Sequence, residues 1–280
     1  MIELIKSFII GVIQGITEWI PVSSTGHMIL FNEFVKMNVT EAFFEMFLVV
    51  IQFGSILAVI LLYFSKLNPF SRKKTPEIRR STWELWFKVV VACIPSGIIG
   101  VLFDDWFDEH FFNYIVVAIA LIVYGVAFIL VERRRSGKHE SAETDVNQID
   151  YKTAFAIGIF QILAIIPGTS RSGSTILGAT LLGLTRTAAA EFSFFMAIPT
   201  MLGASGLKIL KFFLDGNALL NGQEWAIMLI GCVTAFVVSL FAIKALMRYV
   251  RDHSFSAFGV YRIILGILVL GYFVVKAIVL

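Results

Sequence analysis

The sequence predicts an all-α polytopic membrane protein: six transmembrane helices plus two re-entrant helical hairpins, arranged as an inverted-topology repeat. Three observations carry this reading. The chain is too apolar for a soluble domain. Six of its runs are long enough to cross a bilayer. Two polar stretches of similar build, 21–27 and 167–175, each lie between apolar runs too short to cross one.

Of 280 residues, 58% are hydrophobic and only 15% charged, and the mean hydropathy is +0.85. A soluble domain carries about 25% charged residues. The net charge of +3 is modest and its basic residues sit between apolar runs, so it reads as a topology signal. No nucleic-acid partner is expected. Residues 1–26 contain Glu3 and Glu18 and lack a small-residue cleavage site, so the N-terminus is expected to stay in the mature fold. Cys93 and Cys232 both lie inside apolar segments and read as small core residues, with no disulfide or metal site.

Crossing about 30 Å of hydrocarbon takes roughly 20 apolar residues. Runs at 43–64, 83–103, 112–131, 192–214, 224–247 and 257–280 satisfy this. Runs 4–20 and 154–166 stop at Pro21 and Pro167, and runs 28–35 and 176–184 are short. Eight helical residues span only about 12 Å. Two half-helices joined by a polar loop, twice over, is the economical arrangement. Irregular backbone at membrane depth is tolerated where protein buries it or a wet cavity receives it.

Basic residues test the layout. Segment 65–82 holds Lys66, Arg72, Lys73, Lys74, Arg79 and Arg80. Segment 132–152 holds Arg133, Arg134, Arg135, Lys138 and Lys152, and Lys244, Arg248 and Arg251 lie in 244–256. Six spans and two re-entrant hairpins put all three on one side together with Arg186, opposite Asp104, Asp105, Asp108, Glu109 and Asp215. The positive-inside rule makes the basic side cytoplasmic. Both termini and the first hairpin then face outward.

Gly11-Val12-Ile13-Gln14 resembles Gly158-Ile159-Phe160-Gln161 at an offset of 147, where Ser23 meets Ser170 and Gly26 meets Gly173. Glu45 and Glu191 follow the hairpins and read as acids opening a span. Each half is a hairpin plus three spans, and an odd number inverts the second half relative to the first. Inverted repeats place broken helices and a polar site near the midplane. The chain is thus one membrane domain: repeat one at about 1–138, an exposed linker at about 139–150 and repeat two at about 151–280.

The two polar stretches are expected to meet and form a phosphate site. Gln14 and Glu18 share a helix face one turn before the first of them. Ser23, Ser24 and Thr25 suit the N-cap of the half-helix that follows, with His27 just beyond. In the second, Ser172 or Ser174 is placed to cap the half-helix at 176–184. Arg171 adds a forked, permanent positive charge. Helix N-termini offer free N–H groups and partial positive charge to an anion. Each hydroxyl has an alternative reading, as a bond to its own helix backbone.

At these residues the sequence resembles the undecaprenyl pyrophosphate phosphatase family, called BacA or UppP, of bacterial inner membranes. The resemblance rests on Gln14-Gly15-Ile16-Thr17-Glu18 followed by Pro21-Val22-Ser23-Ser24-Thr25-Gly26-His27, and on Pro167 through Thr175. Gln52-Phe53-Gly54-Ser55 and Glu191-Phe192-Ser193-Phe194 are similar too. It implies hydrolysis of undecaprenyl pyrophosphate to undecaprenyl phosphate and inorganic phosphate, which recycles the lipid carrier for peptidoglycan and other envelope polymers. Bacitracin tolerance, a divalent cation (Mg²⁺ or Ca²⁺) and a site opening to the outer face are further implications. Position 14 departs from the family in being Gln where many relatives have Glu. That weakens any two-carboxylate cation site and leaves Glu18 to carry the metal.

The roles expected are these. Arg171 clamps the phosphates. Ser170, Ser172, Thr175 and the helix N-termini hold the remaining oxygens, with Gln14, Ser23 and Thr25 also binding substrate. His27 is the general acid/base, and Glu18 orients it or carries a metal. The nucleophile is Ser24, activated by His27, or a water. Partners expected are the polyprenyl pyrophosphate and membrane lipids, with a homodimer left open. The competing class is a transporter or flippase of the same lipid, since broken helices in inverted repeats also build transporters. Moving a lipid phosphate needs cations; cleaving one needs an acid/base and a nucleophile as well.

Overall fold

The computed structural model describes residues 1–111, 113–135, 145–216 and 220–279, apart from the side chains at 29, 104, 105, 108, 109 and 279. Among the described residues the fold is all-helical. In chain order the helices are α1 (Ile2–Thr17), α2 (Ser24–Phe34), α3 (Glu41–Leu62), the single turn α4 (Phe64–Leu67), α5 (Pro76–Phe111) and α6 (Tyr114–Arg135). After residues 136–144 come α7 (Tyr151–Ile162), α8 (Arg171–Leu181), α9 (Arg186–Leu214), α10 (Gly222–Asp252) and α11 (Ser256–Val279). Six of them, α3, α5, α6, α9, α10 and α11, are long and apolar enough to cross a membrane. Each of the six expected runs overlaps one of these helices along most of its length.

The helices overrun those runs in several places, most at α5, α6, α9 and α10. Helix α5 begins at Pro76, so Arg79 and Arg80 stand on its first turns. A proline at the first helical position loses no hydrogen bond, which favours the earlier start. The backbone of α5 also stays helical through 104–109, where an acidic loop was expected; those acidic side chains lie outside the described residues, as does 139–144 of the expected linker. Helix α6 continues through Arg133–Arg135, cations that favour a helix C-terminus. Glu191, expected as an acid opening a span, lies in the second turn of α9 and pairs with Lys66 at 2.9 Å. Cys93 and Cys232 are free thiols.

Helix α1 packs along α10 and α7 along α5, while α3 lies against both α9 and α10 and α11 against α6. Small residues permit these approaches: Gly11 and Gly15 of α1 face the Gly231 and Ala235 carbonyls of α10, and Gly125 and Gly259 face each other between α6 and α11. Without water between helices, such close packing replaces the hydrophobic drive.

One end of the bundle gathers the connections among α4, α5, α7, α8, α9 and α11. There Glu132 accepts two bonds from Arg186 Nε and a 2.7 Å bond from its Nη2, and also caps α11 through Phe255 N–H. Lys88 donates to the Asn147 carbonyl and Arg135 to the Leu184 carbonyl. At the other end Glu3 accepts from Asn38 N–H, Lys208 pairs with Glu45, and Lys276 with Glu33. Between the ends, the tips of α1–α2 and α7–α8 come together.

Candidate functional site

Both tips are built alike. Ser23 and Ser170 are the non-glycine residues with positive φ among the described residues, at 73° and 71°. Each is the N-cap of the helix that follows: Ser23 Oγ accepts from Gly26 N–H at 3.2 Å, and Ser170 Oγ from Gly173 N–H at 3.1 Å. A left-handed serine is uncommon, and here it happens twice in the same role, 147 residues apart. Ser172 and Ser174, expected as caps, instead lie within the first turn of α8, because Arg171–Thr175 are already helical. Ser172 Oγ donates to the Glu18 carbonyl at 2.9 Å. The turn before α8 needs its glycine: Gly168 has φ +94°, and a Cβ there would lie 2.5 Å from the Val117 carbonyl of α6.

Glu18, just past the end of α1, is the centre of the site. Its Oε1 accepts from Arg171 Nη2 at 3.0 Å. Its Oε2 accepts from Gln14 Nε2 and from Ser24 Oγ, both at 3.0 Å. All of these partners donate, which is the environment of a carboxylate. Arg171 also donates from Nη1 to the Ser193 carbonyl at 2.8 Å. Its guanidinium lies 5.8 Å from the centre of the Trp19 ring. Trp19 is fully buried and packs edge-on to Phe194. Thr175 Oγ1 shares a 2.7 Å bond with Ser193 Oγ and donates to the Arg171 carbonyl.

A cavity of about 170 Å³ opens beside this group, lined by Glu18, Ser24, Thr25, Ser170 and Arg171 together with Gln52 and Thr200. Gln14, Ser23, Ser172 and Thr175 are buried outside that lining and support the residues that form it. The structure therefore brings both stretches to one place, a salt bridge joining residues 153 positions apart.

His27 stands apart. Its Nδ1 lies 2.7 Å from the Ser23 carbonyl, which can only accept, so that nitrogen carries a proton. Tyr261 OH lies 2.6 Å from Nε2. Ser24, which the sequence pairs with His27, is bonded to Glu18 instead. Position in the helix decides this: Ser24 and His27 lie on one turn, but the His27 ring is held toward α11.

Sequence reasoning missed Tyr261, Arg262 and the anchoring role of Ser193. Arg262 donates from Nη1 to the Pro21 carbonyl at 3.1 Å, and from Nη2 to the Gly168 and Thr169 carbonyls at 2.8 Å each. A signal was present, since an arginine inside the run 257–280 is a polar group at membrane depth.

For a divalent cation the donor set is thin. Among the described residues no group of three or more His, Cys, Asp or Glu converges. Glu18 is the one carboxylate lining the cavity, and both of its oxygens are engaged, one by a guanidinium. Hard cations want several charged oxygens. These protein groups do not by themselves make a resident Mg²⁺ or Ca²⁺ site.

What the cavity offers is one carboxylate bonded to a hydroxyl, a guanidinium behind them and the first turns of two helices. That set suits a nucleophile–base pair facing a phosphate. The family model described as "Bacitracin resistance protein BacA" matches residues 7–268. A Streptococcus thermophilus protein named undecaprenyl-diphosphatase is 55% identical over 278 residues, covering 99% of this chain and 96% of that protein. A protein of the same name from Streptococcus pyogenes serotype M12 is 57% identical over 272 residues, covering 97% of each.

Proposed function

Because this chain belongs to the bacitracin resistance protein BacA family, we infer that it hydrolyses undecaprenyl pyrophosphate to undecaprenyl phosphate and inorganic phosphate. The activity returns the lipid carrier to peptidoglycan and envelope-polymer synthesis and underlies bacitracin resistance. The observation that carries the reading is the Ser24–Glu18–Arg171 chain at the cavity wall.

Pyrophosphate hydrolysis is governed by positioning and by charge on phosphoryl oxygens. In the mechanism we favour, Ser24 Oγ attacks the terminal phosphorus and passes its proton to Glu18. The bond from that phosphorus to the bridging oxygen breaks, and undecaprenyl phosphate leaves. Water then cleaves the phosphoserine, releasing phosphate and restoring the Ser24 hydroxyl. Arg171 binds the phosphates, helped by Ser170, Thr25 and the first turns of α2 and α8. Ser172, Thr175, Ser23 and Gln14 hold these groups in register. His27 serves as acid/base for the entering water, in the step after the phosphoserine has formed. A cation would enter with the substrate, whose own oxygens supply most of its charged donors, with Glu18 as the protein carboxylate.

The tips α1–α2 and α7–α8 are read as re-entrant hairpins in an inverted repeat. Paired packing supports this: α1 on α10 answers α7 on α5, while α3–α9 and α6–α11 each join equivalent spans. The equivalent left-handed caps Ser23 and Ser170 support it as well. With the basic end cytoplasmic, both termini and the site face outward in a bacterial inner membrane.

The test is phosphate release from undecaprenyl pyrophosphate by purified protein in detergent, with and without Mg²⁺ or Ca²⁺, beside Arg171→Ala and His27→Ala. Turnover by wild type that both substitutions abolish in folded protein is expected. No release by folded, lipid-supplied wild type would leave the site as a headgroup-binding site of a transporter.

A further inference from the structure

Arg262 of α11 is fully buried. A charge so placed normally has a carboxylate partner. Among the described residues none lies within ion-pair distance. Instead, all three of its hydrogen bonds go to backbone carbonyls, and all three carbonyls belong to the two turns that end in Ser23 and Ser170. One side chain from the last helix thus joins a turn near residue 21 to a turn near residue 168. The first turn of α8 rests on it: a Cβ at Gly173 would lie 2.9 Å from Arg262 Nη1.

Two consequences follow from chemistry. A planar trans peptide points its N–H away from its C=O. With the Thr169 carbonyl held by Arg262, the Ser170 N–H is directed the opposite way, and Ser170 lines the cavity. The second consequence concerns charge. Arg171 is met by Glu18, so its cation is compensated before any ligand arrives. Arg262 has no such partner and leaves a net positive charge directly behind both helix N-termini.

We propose that Arg262 is a positioning residue for the diphosphate, fixing the two capped turns at the separation one diphosphate can bridge and supplying the site's uncompensated positive charge. This rests on the phosphate reading of the cavity, and its test uses a probe that needs no hydrolysis. Methylenediphosphonate binding is measured by calorimetry on folded, monodisperse wild type, Arg262→Met and Arg262→Lys, alongside kcat and KM for undecaprenyl pyrophosphate. Arg262→Met should weaken diphosphonate binding by about tenfold or more, the scale of losing charge-assisted bonds. KM should rise with it. Arg262→Lys keeps the charge, but one ammonium cannot fork to both turns, so binding should fall to an intermediate value.

A role in folding alone would lower the yield of folded protein and leave the affinity of what remains unchanged. Folded Arg262→Lys, or folded Arg262→Met, that binds the diphosphonate as wild type does overturns the proposal. So does a wild type that does not bind it. If wild type binds diphosphonate but releases no phosphate, the hydrolytic reading fails while the assignment of Arg262 stands or falls on the affinities.

Discussion

Ser24 Oγ donates to Glu18 Oε2 at 3.0 Å, and the other oxygen of the same carboxylate receives Arg171 from the opposite half of the chain. The proposed nucleophile, the proposed base and the proposed phosphate clamp are therefore one connected unit, and each should fail in its own way.

Consider the phosphoenzyme. Glu18 is bonded to Ser24 and His27 is not, so rapid-quench labelling with terminally labelled substrate should trap phosphate on wild type. His27→Ala should still label in a single turnover. Glu18→Gln should slow labelling by about 10³-fold, within the usual range for a lost general base, and Ser24→Ala should not label. Labelling lost in His27→Ala but kept in Glu18→Gln would restore His27 as the base. No labelling in wild type would make the nucleophile a water.

Position 14 offers a test of cation binding. Gln14 Nε2 donates to Glu18 Oε2, and Gln14 is buried. Gln14→Glu replaces a donor with a second buried carboxylate, a pair whose repulsion a cation or a shared proton must relieve. The variant should reach half-maximal activity at a Mg²⁺ or Ca²⁺ concentration lower by on the order of tenfold, with little activity in a chelator. A titration in which wild type and variant coincide would remove position 14 from cation binding.

How much of this was legible in the sequence depends on the range of the interaction. Hydrophobic runs depend on local composition, so all six spans and the four short helices were visible. The polar stretches were visible for the same reason. Boundaries moved where a cap or an N-terminal proline outweighed hydropathy, as at Pro76 and at Ser170, whose left-handed φ starts α8 five residues before the apolar run at 176. That the two stretches meet was visible from their likeness, but the individual partners were not: which oxygen Ser24 meets, and that His27 turns to Tyr261, depend on α1, α2 and α11 packing together. Arg262 was visible as an anomaly in an apolar run, but its contacts appear only when carbonyls 147 residues apart, Pro21 and Gly168, are seen on one guanidinium.

Glu132 is a stability prediction separate from chemistry. Its side chain is 3% exposed and accepts from Arg186 and from Phe255 N–H, tying α6, α9 and the start of α11 together. Glu132→Ala removes the carboxylate from a partly exposed Arg186 and the acceptor from the Phe255 N–H, at a cost of about 1–3 kcal/mol. A large fall in melting temperature in detergent is expected. Residual folded protein should keep near-normal KM, because Glu132 does not line the cavity. An unchanged melting temperature would show that the pair contributes nothing net.

Orientation is open to direct chemistry. Arg72 is exposed in the connection between α4 and α5, and Gln223 is exposed at the start of α10, toward the opposite end. In a background with Cys93 and Cys232 replaced by alanine, Arg72→Cys should react with a membrane-impermeant maleimide only after the cells are opened. Gln223→Cys should react in intact spheroplasts. A cytoplasmic basic end dictates this pattern, and the orientation bears on the mechanism. The reverse pattern would turn the site toward the cytoplasm, so the enzyme would act on pyrophosphate lipid newly made inside the cell rather than on lipid released after polymer assembly outside.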